Sequence, residues 1–349
     1  MTYQYNVDFE EPHWLKMYYH IIAVISTIIC LFSMYIILFQ SGKMDNYKYY
    51  LFYMQCAGWM MDLHLSTLMQ FIPLFPVFGG YCTGVLTKLF GVADSIQTTL
   101  TAFSICHVAS ALNSCFVRKQ QSIAKISHSY QLSKLQYAVA MFLLNIYPTI
   151  ASTLLYLSML DKTNQKNLIK EVYPNLILQF QALPNYIVFD ANFWAITTFA
   201  FILFGCSYTI ILVVCSTWHS FKILELNRKR MSTGNYAKHR ATLRSLLAQF
   251  FACFLIIGPA SLFSVSVVIR YEHCQVVTHW CLVCLTLHSS ANAIVMIITY
   301  PPYRNYVMLW QQKRTFSFST VQKSSVDARG ISRIEVPSKF PEWKIVKRL

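Results

Sequence analysis

The amino-acid sequence predicts an all-α membrane protein: a seven-helix transmembrane bundle, amino terminus extracellular, carboxyl terminus cytoplasmic. Three observations carry this. First, only 12% of the 349 residues are charged and 55% are hydrophobic, against about 25% charged in a soluble globular domain. Second, seven apolar runs reach the ~20 residues that a bilayer span requires. Third, lysine and arginine gather on one side. The loops after the first, third and fifth runs, together with the tail, hold all of the 29 except Lys16, Lys88, Lys162, Lys166, Lys170 and Arg270. Basic loops stay in the cytoplasm, which sets the orientation. The formal net charge of +15 therefore reads as topology, and nucleic acid is excluded as a partner.

In order, the spans are expected at Tyr18–Gln40, Tyr49–Ile72, Val85–Phe116, Leu135–Leu160, Ala191–Thr217, Leu246–Ile269 and Val276–Tyr300. Residues 1–17 are polar and acidic and form the extracellular amino terminus. The first apolar run is too long for a secretory h-region, so it is expected to serve as an uncleaved signal anchor. The third run is over-long, and its ends are expected to project beyond the bilayer. Pro301 and Pro302 end the seventh helix. Tyr303, Tyr306, Val307 and Trp310 then recur at helical spacing, which predicts a short amphipathic helix over 301–310 on the inner leaflet. Residues 311–349 are basic and Ser-rich and are expected to be disordered.

The connector Gln70–Gly84 is apolar yet cannot be helical. Pro73 and Pro76 remove backbone donors, and Gly79, Gly80 and Gly84 favour turn geometry. It predicts a tight extracellular corner between the second and third spans. The loop Asp161–Asp190 is long and broken by Pro174 and Pro184.

Polar residues inside a membrane are costly and face the bundle interior. Gln55, Asp62 and Ser66 share a face of the second span, with His64 opposite. Asp94, Thr98 and Thr101 share one on the third, with Gln97 beside it. Cys281, His288, Asn292 and Thr299 share one on the seventh. Together they predict a polar seam: a ligand cavity above, a conformational switch below. For the serines and threonines, interhelical hydrogen bonding alone accounts for the pattern. Asp62 lies near mid-bilayer, so it must pair, protonate or hold a cation, and Asn292 and His288 are its expected partners. Asp94 faces an outer vestibule or pairs with Lys88. Gly258-Pro259 in the sixth span is either a hinge or a static bend, and Pro148 in the fourth carries the same two readings. Cys281 and Cys284 form a CxxC inside an apolar run with no second pair, which does not make a metal or redox site. No catalytic grouping, cofactor motif or metal-binding pattern is present, so no enzyme is expected.

Several local motifs narrow this topology. The corner Ile72-Pro73-Leu74-Phe75-Pro76-Val77-Phe78-Gly79-Gly80-Tyr81-Cys82-Thr83-Gly84 resembles that of nematode serpentine chemoreceptors, the class I and class H group of the Str-type superfamily. So do Tyr18-Tyr19-His20-Ile21-Ile22, Lys43-Met44-Asp45-Asn46-Tyr47-Lys48 and Pro302-Tyr303-Arg304. Gln70-Phe71-Ile72-Pro73-Leu74-Phe75-Pro76 places class I ahead of class H. The resemblance runs from Tyr18 to Trp310. It implies a G-protein-coupled chemosensory receptor in the plasma membrane of sensory neuron cilia. The implied partners are membrane lipid, a small-molecule ligand, a heterotrimeric G protein and a further receptor copy. Ligand contacts are expected from Asp94, Gln97, Thr98, Thr101, Trp194, Thr198 and His288, with Phe78 and Tyr81 in the lid. The intramembrane switch is expected at Asp62, Asn292, Gly258 and Pro259. The G-protein face is expected at Arg118, Lys119, Lys222, Arg228, Lys229, Arg230, Tyr303 and Arg304. The chain departs from rhodopsin-like receptors: Asn113-Ser114-Cys115-Phe116-Val117-Arg118-Lys119 contains no Asp-Arg-Tyr, and span seven lacks Asn-Pro-x-x-Tyr. The usual outer disulfide would use Cys82, but Asp161–Asp190 has no cysteine. Cys82 is therefore either unbridged or joined to Cys274. Two competing readings are a ligand-gated cation channel of inverted topology, which the charge placement opposes, and a small-solute transporter, which would favour internal repeats.

Overall fold

The computed structural model describes residues 7–41, 46–75, 77–127, 131–253, 258–259 and 274–309. Lys43, Met44, Asp45, Pro76, the outer part of the sixth span, Trp310 and the tail lie outside the described residues. The chain divides at Arg304. The bundle is one unit, and of the second, Asn305–Leu349, residues 305–309 are described and are helical.

The seven runs form α1 (His13–Gln40), α2 (Tyr47–Leu63), α4 (Asp94–Ser127), α5 (Lys134–Leu157), α8 (Phe193–Leu226), α9 (Thr233–Ala252, resuming at 258–259) and α10 (Cys274–Thr299). The neighbours are α1 with α2, α2 with α4, α4 with α5, α5 with α8, α8 with α9, α9 with α10, and α10 with α1, so the ring closes. Helix α4 also touches α8 and α9 and is the central post. By length and composition, α1, α4, α5, α8 and α10 are each able to cross a membrane. Helix α2 is shorter and is completed by a π-helical turn, His64–Met69, ending at Gln70 in a left-handed conformation with φ 46°.

Two spans begin elsewhere than hydropathy places them. The third run splits into α3 (Val85–Phe90) and α4, because Gly91 takes φ +61° and ends the first piece. Glycine alone adopts that conformation without strain. Asp94 is therefore the first residue of α4 rather than nine residues into a helix, and α4 runs on to Ser127. The sixth helix starts at Thr233, not Leu246. Its first three turns carry Lys238, Arg240 and Arg244, so they are helical without being apolar. Ser232 caps this helix by accepting from the Asn235 N–H. Helix α5 passes Pro148 without interruption.

The corner is a hairpin. β1 (Phe71–Pro73) pairs antiparallel with β2 (Gly79–Cys82), and β2 pairs with β3 (Ile187–Val188) from the long loop. That loop adds α6 (Lys162–Val172), a 3-10 turn at Pro174–Leu176 and α7 (Ile177–Ala182). Gly80 is dictated by crowding: a Cβ there would sit 2.4 Å from the Ile72 carbonyl oxygen and the Phe71 ring. The sheet covers a core of Leu15, Tyr19, Ile72, Tyr81, Phe180 and Val188. The cap is thus held by strand pairing and aromatic packing. Cys82 carries a free thiol in this structure, which corresponds to the unbridged one of its two readings. Cys82 ends β2 against Asp94. Burial pushes its thiol well up and the adjacent carboxylate adds to this, so it stays protonated and unreactive.

Candidate functional site

Asp62 is 1% exposed. Its partner is neither Asn292 nor His288 but Ser26 of α1, whose hydroxyl donates to Asp62 Oδ2 at 2.7 Å. Around this pair lies a polar nest joining three helices. Cys30 Sγ is 3.0 Å from Ser289 Oγ, and Gln55 Nε2 donates to Cys30 Sγ at 3.3 Å and to Ser289 Oγ at 3.4 Å. Gly58 lets α10 approach, since a Cβ there would meet Ser289 Oγ at 3.1 Å. Asp62 Oδ1 and Asn292 Oδ1 have no hydrogen-bond partner among the described residues. Sequence reasoning missed Ser26, Cys30 and Ser289. The signal was present, because Ser26, Cys30 and Ser33 recur at spacings of four and three and so share a helical face.

A second line of contacts joins α10 to the sixth span. His288 Nε2 lies 3.5 Å from Cys253 Sγ, the Cys281 thiol donates to the Pro259 carbonyl at 3.4 Å, and Thr299 Oγ1 is 2.8 Å from Ser245 Oγ. The expected face of the seventh span is therefore real, but it looks at the sixth helix rather than at Asp62. Gly258 has open space around its Cβ position.

The first turns of α4 gather Asp94, Gln97, Thr98 and Thr101. The Asp94 carboxylate is buried beside the backbone N–H and thiol of Cys82, but its two oxygens fall outside ordinary hydrogen-bond geometry. Gln97 is fully buried and bonded: its amide donates to Thr87 Oγ1 and to the Val92 carbonyl, each at 2.8 Å. It ties α4 to the break after α3. His64, expected on the opposite face, donates from Nε2 to the Gln97 carbonyl at 3.0 Å. Thr98 and Thr101 are half-buried. Their hydroxyls donate to backbone carbonyls one turn back, and Thr101 Oγ1 also lies 2.9 Å from Met69 Sδ.

Thr198 is buried and bonds the Trp194 carbonyl. Trp194 is 41% exposed and packs on Phe193, so it stands on the outer surface of the bundle, apart from the α4 group. Tyr81 lies in the cap, its hydroxyl donating to the Phe9 carbonyl at 2.9 Å. Phe78 packs on Phe189 and Phe199 and so ties the corner to the fifth helix.

The bundle also encloses a cavity of about 350 Å³ between α4, α5 and α8, floored by Phe250 and Cys253 of α9. Its walls are mostly apolar; the polar groups among them are Asn113 and Thr209, which bond to each other at 2.9 Å, Ser110, and the hydroxyls of Tyr147 and Tyr208, the first of which donates to the Phe201 carbonyl.

At the basic end, Arg118 stacks on Tyr50, Lys222 on Trp218, and Arg228 on Tyr236. Arg228, Lys229, Arg230 and Arg304 are exposed. Lys119 is only 7% exposed, lying over the Tyr47 ring and 3.4 Å from His239 Nδ1. Tyr303 is fully buried and bonds Ser41 at 2.8 Å. These last two are internal to the bundle in this conformation. Arg228, Tyr236, Arg240 and Arg244 line a cleft of about 460 Å³.

A ring of seven helices with a buried polar seam and a capped end is the rhodopsin-like fold. Squid rhodopsin is similar in structure: TM-score 0.52 at 12% identity, covering 97% of this chain and 99% of that chain. More narrowly, the family model described as "Serpentine type 7TM GPCR chemoreceptor Sri" matches residues 5–307, and the chain belongs to that family. This agrees with the class I resemblance of the corner. A search of the curated proteins finds no match.

Proposed function

We propose that this receptor binds a small molecule from the extracellular side and activates a heterotrimeric G protein. The observation that carries the reading is the match to a GPCR chemoreceptor family over residues 5–307. The capped end faces outward and the basic end faces the cytoplasm, as the lysine and arginine placement requires. Ligand enters beneath the corner, toward Asp94, Thr98, Thr101, Thr198 and His288. Binding shifts a two-state bundle by its differential affinity for the active form. The sixth span then swings about Gly258-Pro259, and its contacts with α10 at Cys253 and Pro259 are remade. The exposed cations Lys222, Arg228, Lys229 and Arg230 meet the G protein, and Lys119 and Tyr303 join them once the inner end opens. The helical residues 301–309 run along the inner leaflet. The protein works in the plasma membrane of sensory neuron cilia.

The test is a G-protein reporter assay against volatile and water-soluble compounds. Surface expression is verified with a tag at residue 1 that stains intact cells. A compound-dependent response that is lost in the charge-neutral Lys222/Arg228/Arg230 variant at equal surface density supports the reading. A variant that signals normally removes the assignment of the basic end. Staining only after permeabilisation removes the orientation.

A further inference from the structure

We propose that the cavity between α4, α5 and α8 is a second ligand site, entered sideways from the bilayer, for an apolar molecule with a single hydrogen-bond-donating group. The argument is independent of G-protein coupling.

Four observations converge. The cavity holds about 350 Å³, within the ~300–1,000 Å³ of small-molecule sites. Its rim includes Leu143 at 58%, Phe204 at 65% and Tyr208 at 45% exposure. These lie on the outer surface of the bundle between the fourth and fifth spans, so the mouth opens where lipid lies. The walls are mostly hydrocarbon, sulfur and aromatic rings, with Ser110 and the tyrosines Tyr147 and Tyr208 among them, and a lipophilic guest would cover the apolar part favourably. At one end sits Asn113, 3% exposed, with its Nδ2 donating to Thr209 and its Oδ1 without a partner among the described residues. A buried acceptor left without a donor is destabilising, and a hydroxyl from a guest would satisfy it.

The geometry also sets the orientation. Cys106 and Asn113 both line the space and stand seven positions apart on α4, roughly 10 Å at ~1.5 Å per residue. The guest is therefore a short chain or compact ring, its polar head at Asn113 and its apolar body toward Cys106. Phe250 and Cys253 touch the same space, and Cys253 contacts His288. An occupant thus presses on the sixth span from the side opposite α10. Its source is either a lipophilic compound dissolved in the membrane or a hydroxylated membrane lipid.

The full-length receptor in lipid nanodiscs tests this with three photoreactive probes: a diazirine-bearing decanol, the matching decane without the hydroxyl, and a diazirine sterol. Crosslinks are mapped by mass spectrometry. The proposal expects decanol labelling at the 143–150 and 201–209 segments. Ala109→Phe, which fills the cavity, should abolish it while thermal unfolding stays within a few degrees of wild type. Asn113→Leu should weaken decanol labelling about tenfold, the size of one buried hydrogen bond, and leave decane unchanged. Sterol labelling with the same sensitivities would assign the site to a membrane lipid. Labelling spread over all lipid-facing helices and indifferent to Ala109→Phe would overturn the site. If Ala109→Phe does not fold, Ile146→Trp takes its place. An Asn113→Leu receptor that binds both chain probes like wild type would overturn the polar pole.

Discussion

Around α1, α2 and α10 the helices meet through polar side chains: Ser26, Cys30, Gln55, Asp62 and Ser289 form one connected nest. Around α4, α5 and α8 they meet across a space of about 350 Å³ lined mostly by apolar groups, with the Asn113–Thr209 pair at one end. The two regions share a membrane and a hydrophobic composition but hold their helices in different ways. Directional bonds fix distance and rotation, so the first region has one arrangement. Apolar contacts across a cavity specify neither, so the second can close or fill at small cost. Helix α9 touches both, through Cys253 with His288 on one side and Phe250 on the cavity floor on the other. It is therefore placed to register a change in the adaptable half against the fixed half.

Substitutions can break this contrast. Gly58→Leu should have the largest effect. Even its Cβ would crowd Ser289, and the remaining atoms would wedge α2 from α10. Overpacking of this kind costs typically about 1–3 kcal/mol and occasionally more. Ala109→Leu, which puts the same side chain on the cavity wall, should be near neutral. Thermal unfolding of the two purified variants compares them directly, and equal losses would erase the distinction. Next, Ser26→Val removes the hydroxyl that donates to Asp62 Oδ2 and leaves that buried oxygen short of its donor, a loss of about 1–3 kcal/mol. Ser26→Thr keeps a hydroxyl and should recover most of it.

At the cap, Cys82→Ser should leave surface expression unchanged under oxidising conditions, because no bridge is lost. A fall seen only under oxidising conditions would restore the disulfide. The smallest effect concerns Glu11 at the outer end of α1. Burial acts to raise its carboxyl, but the Lys16 hydrogen bond at 2.9 Å and the charges of Lys16 and Lys88 outweigh it and hold the group below its ordinary 4.5. A lowered carboxylate contributes stability above its unfolded value and loses it as pH falls through the folded one. Amide exchange near residues 8–16 should therefore quicken only below about pH 4.5, and Glu11→Gln should flatten that dependence.

Much of the fold was legible, and the failures share a cause. Hydropathy finds where a helix is apolar, not where it is helical. It therefore placed the sixth span thirteen residues late, past a basic segment that Ser232 caps. It also ran α3 and α4 together, since Gly91 breaks a helix without altering hydropathy. The corner was legible as non-helical from its prolines and glycines. Its sheet was not, because β3 lies more than a hundred residues further on and strand pairing at that distance leaves no local mark. In the site, the wheel found the correct faces of α2 and α10 but paired them wrongly. Asp62 met Ser26 on the first span, which hydropathy treats as uniformly apolar. The cavity left no sequence signal, since a void depends on how three helices diverge.

Hydrogen–deuterium exchange of the full-length receptor in nanodiscs tests the fixed and adaptable halves most directly. Amides flanking Ser26, Asp62 and Ser289 should exchange slowly whether or not decanol is present. Those of 143–150 and 201–209 should exchange faster and slow down when decanol is added. Equal protection in both regions, or slowing confined to the polar nest, would contradict the account.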